Sequence, residues 1–333
     1  METAPRYGIL LPHFGRHASR TRLISAARQA EQAGFDAVFV RDHLYYKPRP
    51  LEIPDPQFLD TFITLAAAAA VTERVLLGTA VVNPHRHPIH AAQLWGSLDR
   101  VAGGGRIFPI WGLGATRSTD LVGMSGWDRE EALNEYVDIV RKLWSGGPVD
   151  HDGQYFKFKG IALDPVPQGP VPHWYGGPSY AAVRRAVEHF DGYSAGQMPG
   201  RDYRNRRKRL IELCETAGRP VLPTCISPIV SPGRTVEDGL RHVPIEQLAH
   251  DFSRKFSVPK SGTYRTIADF TGALIAGPAE DIIAGVREHQ RSGVDLVIFD
   301  MRLRFGDWDD CIAMLGEEVV PRLHEGDRGL RPA

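Results

Sequence analysis

The sequence predicts an α/β protein built as a (β/α)8 TIM barrel with insertions in its βα loops. Three observations carry that prediction. Short apolar runs alternate with helical patterns along most of the 333 residues, the mark of a parallel sheet wrapped by helices. The polar, glycine-bearing stretches between them read as loop insertions rather than linkers. Neither an internal repeat nor a second compositional zone divides the chain, so about eight strand and helix pairs fit one barrel better than two open sheets. The expectation is a single unit over 1–333. A chain of this length can bury roughly three quarters of its unfolded surface.

The elements follow in order. An apolar run at 7–11, a helical pattern at 19–33 and an apolar run at 37–40 begin as βαβ. An alanine-rich helix at 58–71, a strand at 75–78, a helix at 89–101 and a strand at 107–110 continue the alternation. The stretch 115–127 reads as an insertion before an amphipathic helix at 128–144, where Leu133, Tyr136, Val137, Val140 and Leu143 keep helical spacing. Residues 149–158 alternate like a hairpin, and the prolines of 164–170 keep the entry to the fifth strand extended. A helix at 180–189, a short run at 192–194, a basic helix reaching about 217 and a strand within 222–230 come next. The pattern of 231–266 is irregular, and 231–265 is predicted to be an insertion or lid. A helix at 279–291, a buried strand at 295–299 and a closing helix at 308–323 finish the barrel.

Composition excludes several functions. Forty basic residues balance forty acidic ones, so nothing draws the chain to nucleic acid or an anionic membrane. Cys214, Cys225 and Cys311 lack CxxC spacing and predict reduced, buried thiols. The N-terminus has no basic region or long apolar stretch, and no run of eighteen apolar residues occurs, so a cytoplasmic protein is expected. Within Arg204 to Arg209 only Asn205 is uncharged; without interleaved aromatics the run reads as a solvated helix face.

In a barrel the site lies where strands end. Strand two ends in Arg41-Asp42-His43, where a histidine can exchange protons near neutral pH and a carboxylate can orient it or bind a cofactor ring N–H; a loop cap beside a surface histidine is the other reading. Strand three runs through Thr79, Ala80 and Val81 into Asn83-Pro84-His85-Arg86-His87-Pro88. That stiff loop is suited to a polar ring edge or to capping the next helix, and His85 and His87 supply too few ligands for a metal site. Strand five ends in Gly176-Gly177-Pro178-Ser179, where glycines admit a close ligand, proline suits a first helical turn, and the helix N-terminus favours a phosphate; an ordinary tight connection reads the same way. Arg302 and Arg304 follow strand eight, with Asp300, Asp307, Asp309 and Asp310 as ready partners.

Taken in order, several segments resemble the luciferase-like monooxygenase superfamily over nearly the whole chain. They are residues 30–43, 72–81, 97–101, 105–106, 143–147, 176–179, 184–186 and 191–193. The resemblance implies a cofactor ring over the barrel mouth and a phosphate gripped by the amides of Gly176, Gly177 and Ser179. It also implies a non-prolyl cis peptide near Thr79, Ala80 and Val81 that backs the ring. The Asn83 to Pro88 loop and Asp42-His43 look like the branch using coenzyme F420, a 5-deazaflavin that carries hydride but does not activate oxygen.

That resemblance implies an F420-dependent oxidoreductase acting on a small organic substrate, with His43 as acid or base, Asp42, Thr79, Ala80, Val81 and Asn83 at the ring, and Tyr45, Trp111 and Arg117 shaping the substrate pocket. The alternatives are an FMN-dependent monooxygenase supplied by a separate flavin reductase, and a non-catalytic flavin-binding barrel. A homodimer is implied as well. One departure is informative. Sugar-phosphate dehydrogenases of the deazaflavin branch carry a proton-donating Glu after the Gly-x-Gly of strand four, whereas here Gly112-Leu113-Gly114 leads to Arg117; nor does a tryptophan closely follow His43.

Overall fold

The computed structural model describes residues 6–52, 54–259 and 261–328. Ile53 and Lys260, which fall within the predicted loop regions, and both ends of the predicted 1–333 unit lie outside the described residues.

Alternation of strand and helix appears from the start: β1 (Tyr7–Leu10), α1 (Arg20–Gln32), β2 (Ala37–Val40), α2 (Thr61–Ala69), β3 (Leu76–Thr79) and α3 (Pro88–Val101). Each helix begins where a side chain can satisfy its free amides. Ser19 accepts from Arg22 N–H, Asp60 from Phe62 and Ile63 N–H, and His87 from Ile89 N–H ahead of Pro88. The fourth strand is broken. Where an unbroken run was expected over 107–110, β4 (Ile107–Phe108) and β5 (Ile110–Trp111) flank Pro109, which has no N–H for a ladder.

Beyond it lie α4 (Thr116–Leu121), α5 (Arg129–Trp144), the antiparallel pair β6 (Val149–Asp152) and β7 (Lys157–Ile161), β8 (Trp174–Gly176), α6 (Tyr180–His189), β9 (Gly192–Ser194), α7 (Gly200–Thr216), β10 (Thr224–Ile226) and β11 (Ile229–Pro232). The chain ends with α8 (Val236–Leu240), α9 (Ile245–Lys255), β12 (Leu274–Gly277), α10 (Ala279–Arg291), β13 (Leu296–Phe299), α11 (Trp308–Met314) and α12 (Val320–Arg328). The predicted closing helix is thus two helices, joined by a π-helical turn over Leu315–Val319.

The parallel sheet runs β4-β3-β2-β1-β13-β10-β9-β8-β5. Because β4 and β5 are two halves of one strand, its two ends meet and the sheet closes as an eight-stranded barrel. Strand residues alternate inward and outward, and contacts fix the sense. Trp111 meets Tyr136 of α5, so it faces the helices, and Phe108 points inward. Phe39, Phe108 and Trp174 touch in series across the interior. They fit because their neighbours are glycines. A Cβ on Gly8 or Gly78 would fall 2.5 or 2.3 Å from the Phe39 ring, and one on Gly192 would fall 2.4 Å from the Trp174 indole. The interior is packed rather than hollow.

The region 231–265 is more regular than its pattern suggests. It holds α8 and α9, and β11 pairs in parallel with β12 behind them. Leu248 and Phe252 recur at helical spacing and join Ile229, Val243, Tyr264, Phe270 and Leu274 in a second apolar cluster, distinct from the barrel core. Leu51, from the loop after β2, belongs to that cluster. The three cysteines are buried and unpaired. Among the described residues no helix is long and apolar enough to cross a membrane.

Candidate functional site

At the C-terminal ends of the strands the packed interior gives way to charge. Continuing the alternation, the next inward positions are Arg41 beyond β2 and Asp300 beyond β13. Arg41 Nη1 donates to Glu52 (2.8 Å), Arg302 donates to both Glu52 (2.8 Å) and Asp300, and Arg41 Nη2 stands 3.9 Å from Asp300. The other oxygen of Glu52 accepts from the Tyr46 hydroxyl (2.7 Å) and Arg49 N–H (2.9 Å). Burial alone would raise the Glu52 pKa, but Arg41 and Arg302 outweigh it and hold this carboxyl well below the usual range. Two cations thus balance two anions across the floor of the mouth.

Asp42 and His43 are adjacent but differently employed. The Asp42 carboxylate is buried and accepts from Thr61 Oγ1 (2.8 Å), Asn83 N–H (2.9 Å) and Arg86 (3.0 Å to each oxygen), while its carbonyl accepts from Asn83 Nδ2 (2.7 Å). It therefore pins the Asn83 loop to the end of β2, with its acceptor positions filled from within the protein. His43 is open to solvent on one side and packed on the other by the rings of Tyr46 (5.7 Å) and Phe58 (5.2 Å). This enclosure, with Arg41 and Arg49 close by, pushes its pKa down to about 4 against the opposing pull of Asp42 and Glu52. At neutral pH its imidazole is uncharged, so one ring nitrogen can accept a hydrogen bond from a hydroxyl.

The segment after β3 backs the same opening. Thr79 is buried and its hydroxyl accepts from Ile110 N–H (3.2 Å), tying β3 to the broken strand. The Ala80–Val81 peptide is cis, at the place the resemblance implies. The Val81 side chain wedges between two glycines: a Cβ on Gly112 or on Gly176 would lie 2.4 Å from one of its methyl groups. Gly176 is therefore needed for a neighbouring side chain, a reason the local sequence does not reveal.

The turn Gly176-Gly177-Pro178-Ser179 leads into α6, where Ser179 Oγ accepts from Ala182 N–H (3.1 Å) and Ser179 O from Val183 N–H (3.2 Å). None of the described residues accepts from Tyr180 or Ala181 N–H, so this N-terminus keeps two donors for an anion. One of the three amides implied for the phosphate grip is already engaged. Gly177 N–H donates to the Ser194 carbonyl (3.0 Å), while Pro178 has no N–H and uses its carbonyl to accept from Arg206 (2.9 Å).

The three residues predicted to line the substrate pocket separate. Tyr45 is 41% exposed on the loop after β2, and the Arg117 guanidinium, from the first turn of α4, lies 5.7 Å from its ring centroid. Those two meet across the mouth. Trp111 does not join them: it is fully buried, donates through Nε1 to His173 (3.0 Å) and packs under α5, so it supports the wall from behind. His85 and His87 also diverge, since His87 caps α3 while His85 is buried beside Asp42 (3.9 Å) with neither ring nitrogen hydrogen-bonded.

Sequence reasoning passed over His13, Arg41, Arg49 and Glu52. His13 and Arg41 directly follow apolar strands, the signal applied elsewhere. Glu52 had no such signal: it follows no strand, and Arg41, Tyr46 and Arg49 converge on it from its own loop while Arg302 reaches it from beyond β13.

The profile of the luciferase-like monooxygenase family matches residues 6–316. The chain belongs to that family. Among luciferase-like relatives, an F420-dependent glucose-6-phosphate dehydrogenase of Nakamurella multipartita is 30% identical over 332 residues, covering 93% of this chain and 96% of that protein. Another, of Beutenbergia cavernae, is 34% identical over 178 residues, and this chain spans about half of it, 52% of either protein being aligned. The fold is likewise that of a luciferase-like barrel. An F420-dependent secondary alcohol dehydrogenase in complex with an F420–acetone adduct superposes with a TM-score of 0.77 at 19% identity, over 96% of this chain and 99% of that one.

Proposed function

We propose that this luciferase-like protein is an F420-dependent oxidoreductase that moves hydride between the deazaflavin and a small organic substrate. The observation that carries the reading is the neutral, solvent-reachable imidazole of His43, next in the chain to the Asp42 that holds Asn83, in a chain that aligns along 93% of its length with an F420-dependent relative. The site's residues fit such a cofactor. The end of α6 offers the Tyr180 and Ala181 amides, and with the neighbouring Ser179 turn suits a phosphate, while Val81, seated between Gly112 and Gly176, forms a firm apolar back to the opening.

When bound, the deazaflavin supplies a two-electron hydride acceptor or donor that does not activate oxygen. His43 accepts the hydroxyl proton as the substrate carbon is oxidised, and returns it in the opposite direction. Asp42 acts one step back, holding the Asn83 loop and the His43 backbone in register. Tyr45 and Arg117 form one wall. In this reading the enzyme works in the cytoplasm, consistent with reduced, buried cysteines, and as the homodimer its family resemblance implies.

The test is to titrate purified protein separately with F420 and FMN and to follow substrate-dependent F420 reduction. Tight F420 binding and reduction without oxygen consumption are expected. Binding of FMN alone, or oxygen uptake coupled to product, identifies an FMN monooxygenase instead; F420 binding without turnover across a broad substrate panel identifies a carrier.

A further inference from the structure

Among the described residues His43 has no hydrogen-bond partner, so no polar contact fixes the direction of its ring. Its neighbours are two aromatic rings, Phe58 edge-on at 5.2 Å and Tyr46 tilted at 5.7 Å. These two rings are anchored differently. Phe58 is tied by the backbone to the segment after β1: it bridges to Phe14, and Leu59 N–H donates to the His13 carbonyl (2.9 Å). Its ring also packs edge-on against the His13 imidazole at 5.1 Å. Tyr46 lies in the loop after β2, outside any helix or strand, between the exposed residues Tyr45 and Lys47.

The Tyr46 ring is held by packing and by its hydroxyl. It meets Phe14 at 5.5 Å and Phe58 at 5.3 Å, and the hydroxyl donates to Glu52 Oε2 across 2.7 Å. Burial first, then the Glu52 carboxylate, raises the pKa of that hydroxyl well above the ordinary tyrosine value, so it stays protonated and remains the donor. Glu52 is a firm post for it. Arg41 and Arg302 each donate to its other oxygen at 2.8 Å, Arg49 N–H adds a bond of 2.9 Å, and the preceding residue, Leu51, is buried in the second apolar cluster. A hydrogen bond to an ionised acceptor is roughly twice as strong as one between neutral groups.

We propose that Tyr46 and Glu52 are the positioning residues of His43: Glu52 holds the Tyr46 ring by its hydroxyl, and that ring, with Phe58, confines the imidazole to one orientation. The inference deepens the reading above and rests on it for the role of His43. A group that takes a proton from a substrate hydroxyl has to sit within hydrogen-bond reach of it, and a displacement of about 1 Å can cost about a hundredfold in rate. A ring without a hydrogen bond of its own gets that precision from packing. One oxygen of Glu52 answers the two arginines of the floor, and the other governs the ring beside the acid–base group.

The test is Tyr46→Phe, which keeps the ring and removes only its tether. The first readout needs neither cofactor nor substrate: the His43 Cε1–H proton resonance of the purified full-length protein, identified by its loss in His43→Ala. Ring currents of Tyr46 and Phe58 displace this resonance, and in Tyr46→Phe it is expected to move towards its position in the urea-unfolded chain, with Glu52→Gln moving it the same way. A tether that serves stability alone would lower the urea midpoint and leave the resonance in place, which overturns the proposal. The unaltered protein supplies a check where a variant misfolds: nuclear Overhauser contacts from the imidazole to both rings are expected, and an imidazole averaged over several rotamers with contacts to neither refutes the assignment.

The second readout is turnover, with any substrate that reduces F420 in the panel above. Tyr46→Phe should lower kcat at least about tenfold with KM held within about twofold, and in the His43→Ala background it should change the residual rate by less than about twofold. Equal losses in both backgrounds mean that Tyr46 acts elsewhere and overturn the proposal. If the resonance moves but no substrate reduces F420, the oxidoreductase reading fails and the positioning of His43 stands; if F420 is reduced and the resonance stays, this inference alone fails.

Discussion

The backbone N–H of Arg41 donates to Nε2 of His13 across 3.0 Å, and Nδ1 of the same ring donates to the Leu11 carbonyl across 2.8 Å. One neutral imidazole, protonated at Nδ1, thereby joins the end of β1 to the start of the Arg41-Asp42-His43 segment. Burial first, then Arg41, drives the pKa of His13 down to about 3, which keeps Nε2 an acceptor. Replacing His13 by Leu strands the Arg41 N–H without a partner. A loss of about 1–3 kcal/mol in urea unfolding is expected, with a fall in kcat that His13→Gln partly restores.

Stability should fall on the acid side. His13 and His173, with pKa values lowered to about 3, and His289, lowered to about 4, are all held neutral chiefly by burial. In the unfolded chain each takes up a proton near the ordinary value of 6.5. Their contribution is therefore complete above that pH and drains away as pH falls towards 3 to 4. Each site contributes a slope of about 1 kcal/mol per pH unit inside the window. Urea unfolding measured from neutral pH to pH ~4 should show this decline, and His289→Gln should flatten it by one proton. An unchanged slope in that variant refutes the assignment.

Neighbouring substitutions at the end of β2 should have opposite signatures. Asp42→Asn leaves Arg86 without its main buried partner and is expected to cost about 3 kcal/mol of stability. His43→Ala removes an exposed ring and should change stability by no more than about 0.5 kcal/mol. Yet it should abolish most F420 reduction. If turnover in His43→Ala matches that of the native protein, His43 is not the proton-transfer group.

A double-mutant cycle can test the wedge between the glycines. Gly176→Ala places a methyl 2.4 Å from Val81 and should destabilise by about 1–3 kcal/mol while weakening F420 binding. Val81→Ala clears that space, so in combination the two should cost less than their sum. Additive losses in urea unfolding would show that the contact is relieved in some other way.

Much of the barrel was legible because its signals are local. Ser19, Asp60, Asp128 and Ser179 each begin a helix within a few residues of where the hydrophobic spacing starts. The broken fourth strand was less visible, since Pro109 has meaning only once Phe108 and Ile110 are seen pairing in opposite directions around the barrel. Regions 115–127 and 231–265 hid α4 and α8 because helices of six and five residues offer too few turns for their spacing to emerge from a polar background, while α9 keeps its spacing inside a stretch otherwise irregular.

In the site, His43 and the Ser179 turn stood out by type and position. Glu52 did not, because it follows no apolar run and one of its partners, Arg302, lies 250 positions away, and Trp111 misled because an aromatic at a strand end can face either the mouth or the helices.

The second apolar cluster ties Leu51 to β11, β12 and α9, and so makes the two sides of the rim a cohesive fitting seated on a barrel that is packed without it. Such a fitting is exchangeable. Moving the loop after β2 together with the stretch between β10 and β12 carries its own interior along, whereas grafting either piece alone cuts through that interior. Retailoring what this barrel accepts therefore calls for transplanting both pieces as one.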